Sequence, residues 1–210
     1  MPPALSVPEL AALVLAAGAG RRMGKPKALV TWDGETFLAR VLRTLAAVPG
    51  IDSACVVLGA EAEAIRKAIP LPPGVRAVVN DGWERGGMLS SLLVGLKALE
   101  DAGSAAGGLL VWPVDHPAVR EPTVATLARA YARAKPAIAL PSYDGRHGHP
   151  VVFAPATYGD LRRAPPSRGA RAVVRQHASS CLAVPVDDPG VVRNVDRPED
   201  LAELARFRLD

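Results

Sequence analysis

The sequence predicts an α/β protein. Residues 1–210 read as a single domain, a Rossmann-like three-layer sandwich with a mostly parallel sheet and helices on both faces. Three observations carry this. Apolar runs of strand length alternate with amphipathic segments of helical period along the whole chain. The first run, Leu10–Ala17, has almost no polar side of its own, as expected of a parallel strand buried on both faces. Glycine (19 residues) and proline (20 residues) are plentiful enough to punctuate many strand-to-helix turns.

The elements follow in order. Leu10–Ala17 is the first strand. Thr36–Ala47 is a helix, because Phe37, Val41, Leu42 and Leu45 fall on one face. Ala54–Leu58 is the second strand, and Ala60–Ala68 a short helix ended by Pro70, Pro72 and Pro73. Val75–Val79 is the third strand, and Leu89–Asp101 a helix that follows Gly86-Gly87. Gly108–Val114 is the fourth strand. The helix Glu121–Lys135 carries Pro122 in its first turn, where a missing N–H leaves no bond unmade. Ala137–Pro141 and Pro150–Phe153 are strands around a polar loop, read as an antiparallel excursion. A helix over Arg168–His177, a strand over Leu182–Val186 and a closing helix over Pro198–Phe207 complete the chain.

Composition narrows the function. The chain is 49% hydrophobic but only 4% aromatic, so alanine, leucine and valine must fill the core. A formal charge of +4 suits an anionic ligand. The basic residues are dispersed, apart from one loop and the stretch Arg162–Arg175, and stacking aromatics are scarce, which argues against nucleic acid. Cys55 and Cys181 lie in apolar runs without metal-ligand spacing and read as buried free thiols of a reducing cytoplasm. There is no basic leader region, and Leu10–Ala17 is too short to span a bilayer, so a soluble cytoplasmic protein with no membrane partner is expected.

The first strand runs into Gly18-Ala19-Gly20-Arg21-Arg22-Met23-Gly24-Lys25-Pro26-Lys27. Glycines let backbone N–H groups approach a phosphate closely, and arginine and lysine neutralise it. A P-loop is excluded, because Ala19 stands at its first glycine and Pro26 at its magnesium-binding hydroxyl. The dinucleotide fingerprint fits at Gly18 and Gly20 but meets Met23 at its third glycine, and Pro26 opposes a helix running out of the loop. Glu61, after the second strand, could serve as a ribose-binding acid and keeps that alternative open. A solvated basic turn is the alternative without a ligand.

Other residues carry chemistry by position. Asp115 follows the fourth strand, at the carboxyl edge where ligands of such sheets bind. There it either holds Mg²⁺, a hard cation that prefers oxygen, or shapes the turn before Pro117. Asp196 is placed to cap the last helix, with Pro198 in its first turn and Glu199 completing a capping box. The block Asn80–Leu92 sets a glycine turn and hydroxyls at a helix start, so Ser90 and Ser91 are either caps or ligand contacts. His147 and His149 have H-x-H spacing and would share a strand face, but no third zinc ligand is evident. His177 reads as a cation at a helix end.

The pattern L-A-A-G-x-G-x-R-M-G-x-P-K, with the Asn80–Leu92 block, Asp115, Gly148-His149-Pro150, Gly169-Ala170-Arg171-Ala172 and the Asp196 segment, resembles the MobA-like NTP transferases, in particular the molybdenum cofactor cytidylyltransferases. The resemblance implies a nucleotide-diphospho-sugar transferase-like fold. It implies Mg²⁺-dependent transfer of CMP from CTP to a phosphorylated acceptor, molybdopterin, with release of pyrophosphate and a molybdoenzyme as client. It implies nucleotide contacts from Leu15, Ala16, Ala17, Gly18, Gly20, Arg22, Gly24, Lys27 and Ser91. Arg22, Lys27 and Asp115 become catalytic, Asp115 and Asp196 metal ligands, and His149 an acceptor contact. Guanylyl-transferring members tend to have glycine at the position of Ala17, whose methyl would crowd a purine, so CTP is implied over GTP. One departure touches the acceptor: close relatives read Gly-Asp-Gln-Pro where this chain has Val114-Asp115-His116-Pro117. Guanylyl transfer, a sugar- or polyol-phosphate acceptor, a noncatalytic nucleotide-cofactor carrier or insertion chaperone, and a dinucleotide oxidoreductase remain alternatives.

Overall fold

The computed structural model describes residues 10–204. In chain order these are β1 (Ala11–Ala16), β2 (Thr31–Trp32), β3 (Glu35–Thr36), α1 (Phe37–Ala46), β4 (Ser53–Leu58), α2 (Ala62–Ala68), β5 (Val75–Val79), α3 (Trp83–Asp101) and β6 (Leu109–Pro113). There follow α4 (Glu121–Ala134), β7 (Ile138–Tyr143), β8 (Arg146–His147), β9 (Val151–Phe153), α5 (Tyr158–Arg163), α6 (Ala170–Gln176), β10 (Cys181–Pro185) and α7 (Pro198–Leu204).

The main sheet runs β10-β7-β9-β6-β1-β4-β5, with β8 paired to β7. β1 lies parallel to both β4 and β6, and only β8 and β9 are antiparallel to their neighbours. The chain therefore builds outward from β1 to β5 and then returns to the other side of β1. That reversal opens a crevice at the carboxyl ends of β1 and β6. Leu15 stands opposite Pro113 in the register, so the loops after the two strands emerge side by side.

The period of two along β1 separates two cores. Ala12, Val14 and Ala16 join α1, α2 and α4 on one face. Ala11, Leu13 and Leu15 join α3, α5 and α6 on the other. Small residues bring the second layer close: a Cβ on Gly95 of α3 would overlap the Leu13 side chain. Thr36 starts α1 by accepting from the Ala39 N–H at 3.3 Å, a cap whose loss typically costs about 1 kcal/mol.

Every expected strand and helix is found, with ends moved by a few residues. α3 differs most, because Trp83–Gly86 makes an extra turn before Gly87, whose φ of 61° breaks the helix ahead of the expected segment. The hairpin β2–β3 was not expected. It turns on Asp33-Gly34, both left-handed, which is the chemistry of a type I′ turn. α5 and β8 are also additions. The last residues expected in the closing helix, 205–207, lie outside the described residues.

Candidate active site

The loop after β1 is a folded cradle. Gly20 (φ 61°) and Gly24 (φ 71°) bracket a 3-10 turn over Arg21–Met23. Gly20 is required twice: its φ disfavours a side chain, and a Cβ would overlap the Lys25 carbonyl oxygen. Pro26 then leads into a second 3-10 turn, Lys27–Leu29, which turns Lys27 back over the crevice.

Lys27 is held between two carboxylates. Its ammonium donates to Asp115 Oδ2 at 2.8 Å and to Asp196 Oδ1. Arg22 closes the group through Asp196 Oδ2 at 3.1 Å, and Asn194 Nδ2 donates to the same oxygen at 3.1 Å. Backbone bonds set the carboxylates. Val114 N–H continues the pairing onto Leu15 C=O at 3.0 Å, and Val195 N–H donates to Asp115 C=O at 2.8 Å, which brings the Asp196 segment beside Asp115. The indole of Trp112 donates to His116 C=O at 3.1 Å and pins the turn. The hydrogen bond from Lys27 and the neighbouring positive charges hold the Asp196 carboxyl below its usual range.

The Asp196 side chain therefore faces Lys27 and Arg22, and the expected helix cap is corrected. Asp200, not Glu199, reaches back to the start of α7 and accepts from the Asp196 and Arg197 N–H groups, each at 2.8 Å. Asp115 and Asp196 also satisfy a chemical test for a divalent cation. Two carboxylate oxygens already contact one positive group, both are hard donors, and only two protein carboxylates leave room for phosphate oxygens and water, the usual way Mg²⁺ is held. Among the described residues there is no group of three or more His, Cys, Asp or Glu fit to hold a metal ion.

Beside this centre lies a cavity of about 320 Å³ lined by Leu15, Ala16, Ala17, Gly18, Gly20, Lys27, Ser91 and Asp115. Trp83 and Met88 complete its wall. Both belong to the glycine-turn block that starts α3, and no motif of their own marks them in the sequence. Ser91 is buried and accepts from Asn80 Nδ2 at 3.0 Å, so Asn80 orients the hydroxyl from the end of β5. Ser90 takes another bond from Asn80 and donates to Gly87 C=O at 2.9 Å. Arg22, Gly24 and Glu61 are not on this wall; Arg22 lies against Asp196, Gly24 shapes the loop, and Glu61 opens α2 in a left-handed conformation.

A second cavity of about 480 Å³ meets the first at Leu15, Met88 and Pro113. His147, Gly148 and His149 line it, but β8 ends at His147, and His149 lies beyond the strand before a cis peptide to Pro150. The His149 ring packs on His116, centroids 4.7 Å apart, and the Nδ1 of each is buried without a partner. Burial, with His116 and Arg171 adding to it, pushes His149 down to about 4, and burial also lowers His116. The His149 ring is therefore neutral at pH 7. His177 ends α6 and pairs with Asp160 at 2.7 Å. Cys55 is a buried free thiol raised to about 11 by burial, whereas Cys181, expected to be buried as well, is only half-buried because it opens β10. Among the described residues no helix is long and apolar enough to cross a membrane.

Comparison with known proteins shows the family of the chain. A sequence model of the MobA-like NTP transferase domain matches residues 12–181. Nicotine blue oxidoreductase of Paenarthrobacter nicotinovorans is 32% identical, over 94% of this chain and 97% of its own. A probable molybdenum cofactor guanylyltransferase of Opitutus terrae is 33% identical, over 91% of this chain and 92% of its own. A 2-C-methyl-D-erythritol 4-phosphate cytidylyltransferase of Thermobifida fusca is 32% identical, over 90% and 82%. The crystal structure of Rv0371c from Mycobacterium tuberculosis in complex with manganese superposes with a TM-score of 0.72 at 26% identity, over 95% of this chain and 100% of that one.

Proposed function

We propose that this chain, which belongs to the MobA-like NTP transferase family, moves CMP from CTP onto a phosphorylated acceptor in the cytoplasm and releases pyrophosphate. Molybdopterin is the proposed acceptor, Mg²⁺ the proposed metal and a molybdoenzyme the proposed client. The observation that carries this is Lys27 clasped by Asp115 and Asp196 at the mouth of a glycine cradle. Such a centre is built to meet phosphate charge, and a pure carrier of nucleotide has less need of it.

The chemistry is positioning and charge stabilisation. An oxygen of the acceptor phosphate attacks the α-phosphorus in line. The new P–O bond forms as the bond from the α-phosphorus to the bridging oxygen breaks, and pyrophosphate leaves with the electron pair. No general base is needed, because the acceptor phosphate is already ionised. Backbone N–H groups of Gly18–Gly24 hold the triphosphate, and Arg22 and Lys27 neutralise charge on the pyrophosphate side. Asp115 and Asp196 would hold the divalent cation, which when bound supplies further positive charge against the phosphates. Ser91 contacts the base, Ala17 narrows its site against a purine, and His149 faces the acceptor.

The relative named nicotine blue oxidoreductase favours one second reading, a redox enzyme that binds NAD(P). Calorimetry with CTP, GTP, UTP, ATP and NAD(P), with and without Mg²⁺, separates the two. Metal-dependent binding led by CTP and weakened in Asp115→Ala supports the transferase, and pyrophosphate release in that variant should fall by about 10²-fold or more with the fold intact. NAD(P) binding indifferent to metal would overturn it, as would near wild-type turnover in Asp115→Ala.

A further inference from the structure

The larger cavity is chemically unlike the smaller one. Its wall is apolar over Leu92, Val111, Leu140, Val151, Phe153 and Val174. A small polyol placed there would lose water from its hydroxyls with few partners to replace it, whereas a ring-like apolar body is desolvated with gain. The cavity also exceeds the nucleotide cavity in volume, about 480 against 320 Å³, and so has room for a ring system.

Its rim is cationic. Arg168, Arg171 and Arg175 all line it, the first just before α6 and the others one turn apart on that helix. All three are exposed, and none has a carboxylate partner among the described residues. Other surface arginines nearby do: Arg162 pairs with Glu100 and Arg163 with Asp160. Three like charges around one opening repel one another unless an anion lies between them. The field reaches inward, because Arg171 helps to depress His149, whose Nδ1 is buried and unpartnered.

Resting on the transferase reading, we propose that the acceptor has a flat, ring-like body whose faces are apolar and a second anionic group besides its reacting phosphate. Arg168, Arg171 and Arg175 hold that second group. The ring lies on the apolar wall, and the reacting phosphate reaches the nucleotide cavity past Leu15, Met88 and Pro113. Small polyol phosphates are thereby disfavoured as acceptors.

Two dyes of shared ring body test this on the full chain. 8-Anilino-1-naphthalenesulfonate carries an anion, and N-phenyl-1-naphthylamine does not. The expected result is that both bind and displace one another. The triple variant Arg168→Gln/Arg171→Gln/Arg175→Gln should lose about tenfold or more in affinity for the sulfonate, one charge-assisted bond or more, and keep its affinity for the neutral dye. Equal loss for both dyes, no loss for either, or failure of the dyes to compete would overturn the proposal. CTP binding with Mg²⁺ is measured on the same samples. If CTP binds but the dyes ignore the arginines, the acceptor proposal falls alone. If the dyes behave as expected but CTP does not bind, the cavity keeps its ligand chemistry and its role as an acceptor site falls with the transferase reading.

Discussion

Replacing Lys27 with methionine keeps most of the stem and removes the ammonium. Two charge-assisted hydrogen bonds are lost, to Asp115 at 2.8 Å and to Asp196. Each such bond contributes about 1.5–3 kcal/mol. The side chains are partly wet, 17% exposed for Lys27, 20% for Asp115 and 25% for Asp196. After discounting for that screening, a loss of about 2 kcal/mol is expected. In a domain of this size that lowers the melting temperature by about 4–8 °C. The loss depends on pH with a defined sign. Lys27 holds the folded Asp196 carboxyl below its usual range. A depressed folded pKa contributes stability above the unfolded value of about 3.9, and that contribution disappears as pH falls through the folded value. The gap in melting temperature between wild type and Lys27→Met is therefore full at pH 7 and closes below about pH 4. Thermal melts by circular dichroism from pH 7 to pH 3 measure it. Pyrophosphate release at neutral pH should fall by about 10²-fold or more, because a preorganised cation aimed at developing phosphate charge is gone. A gap that stays constant with pH, or turnover near wild type, would refute the reasoning.

Ala17→Gly removes the methyl proposed to crowd a purine, so the ratio of kcat/KM for GTP over CTP should rise by about tenfold in steady-state assays, and an unchanged ratio would move the selectivity elsewhere. Gly20→Ala forces a side chain into a left-handed position against the Lys25 carbonyl; nucleotide affinity by calorimetry should drop about tenfold or more, and unchanged affinity would mean that the loop is not the cradle. Asp188 is buried and accepts from Arg120 N–H at 2.9 Å, Thr123 Oγ1 at 2.7 Å and Gly190 N–H at 2.9 Å. Asp188→Ala strands these donors and should cost about 3 kcal/mol, seen as a fall in melting temperature of about 6–12 °C.

What the sequence made legible was local. An apolar run with no polar side could only be a doubly covered strand, and β1 is buried along its whole length. Helical faces were legible for the same reason, since Phe37, Val41, Leu42 and Leu45 point one way under any packing. Gly87 was legible as a break but not as a break inside a longer helix, because a single positive φ leaves the flanking turns free to be helical. The Asp33-Gly34 turn carried its own signal, yet strands of two residues have no periodicity to show.

The candidate centre was legible as a set of residues and not as an arrangement, and the reason lies in distance along the chain. Lys27 meets Asp115 across 88 positions and Asp196 across 169. No window of sequence contains such a contact; it follows from strand order, once β6 lies beside β1 and the Val195 N–H is bonded to Asp115. The same topology explains why the capping box went wrong. Local chemistry offered Asp196 as a cap, but Lys27 and Arg22 present it with two full positive charges, while Asp200 can satisfy the helix start as well. A carboxylate given that choice goes where the charge is greater, since bonds to an ionised donor are about twice as strong as neutral ones. The departure of Asp196 from its local role is thus itself a physical argument that the centre is built for charge.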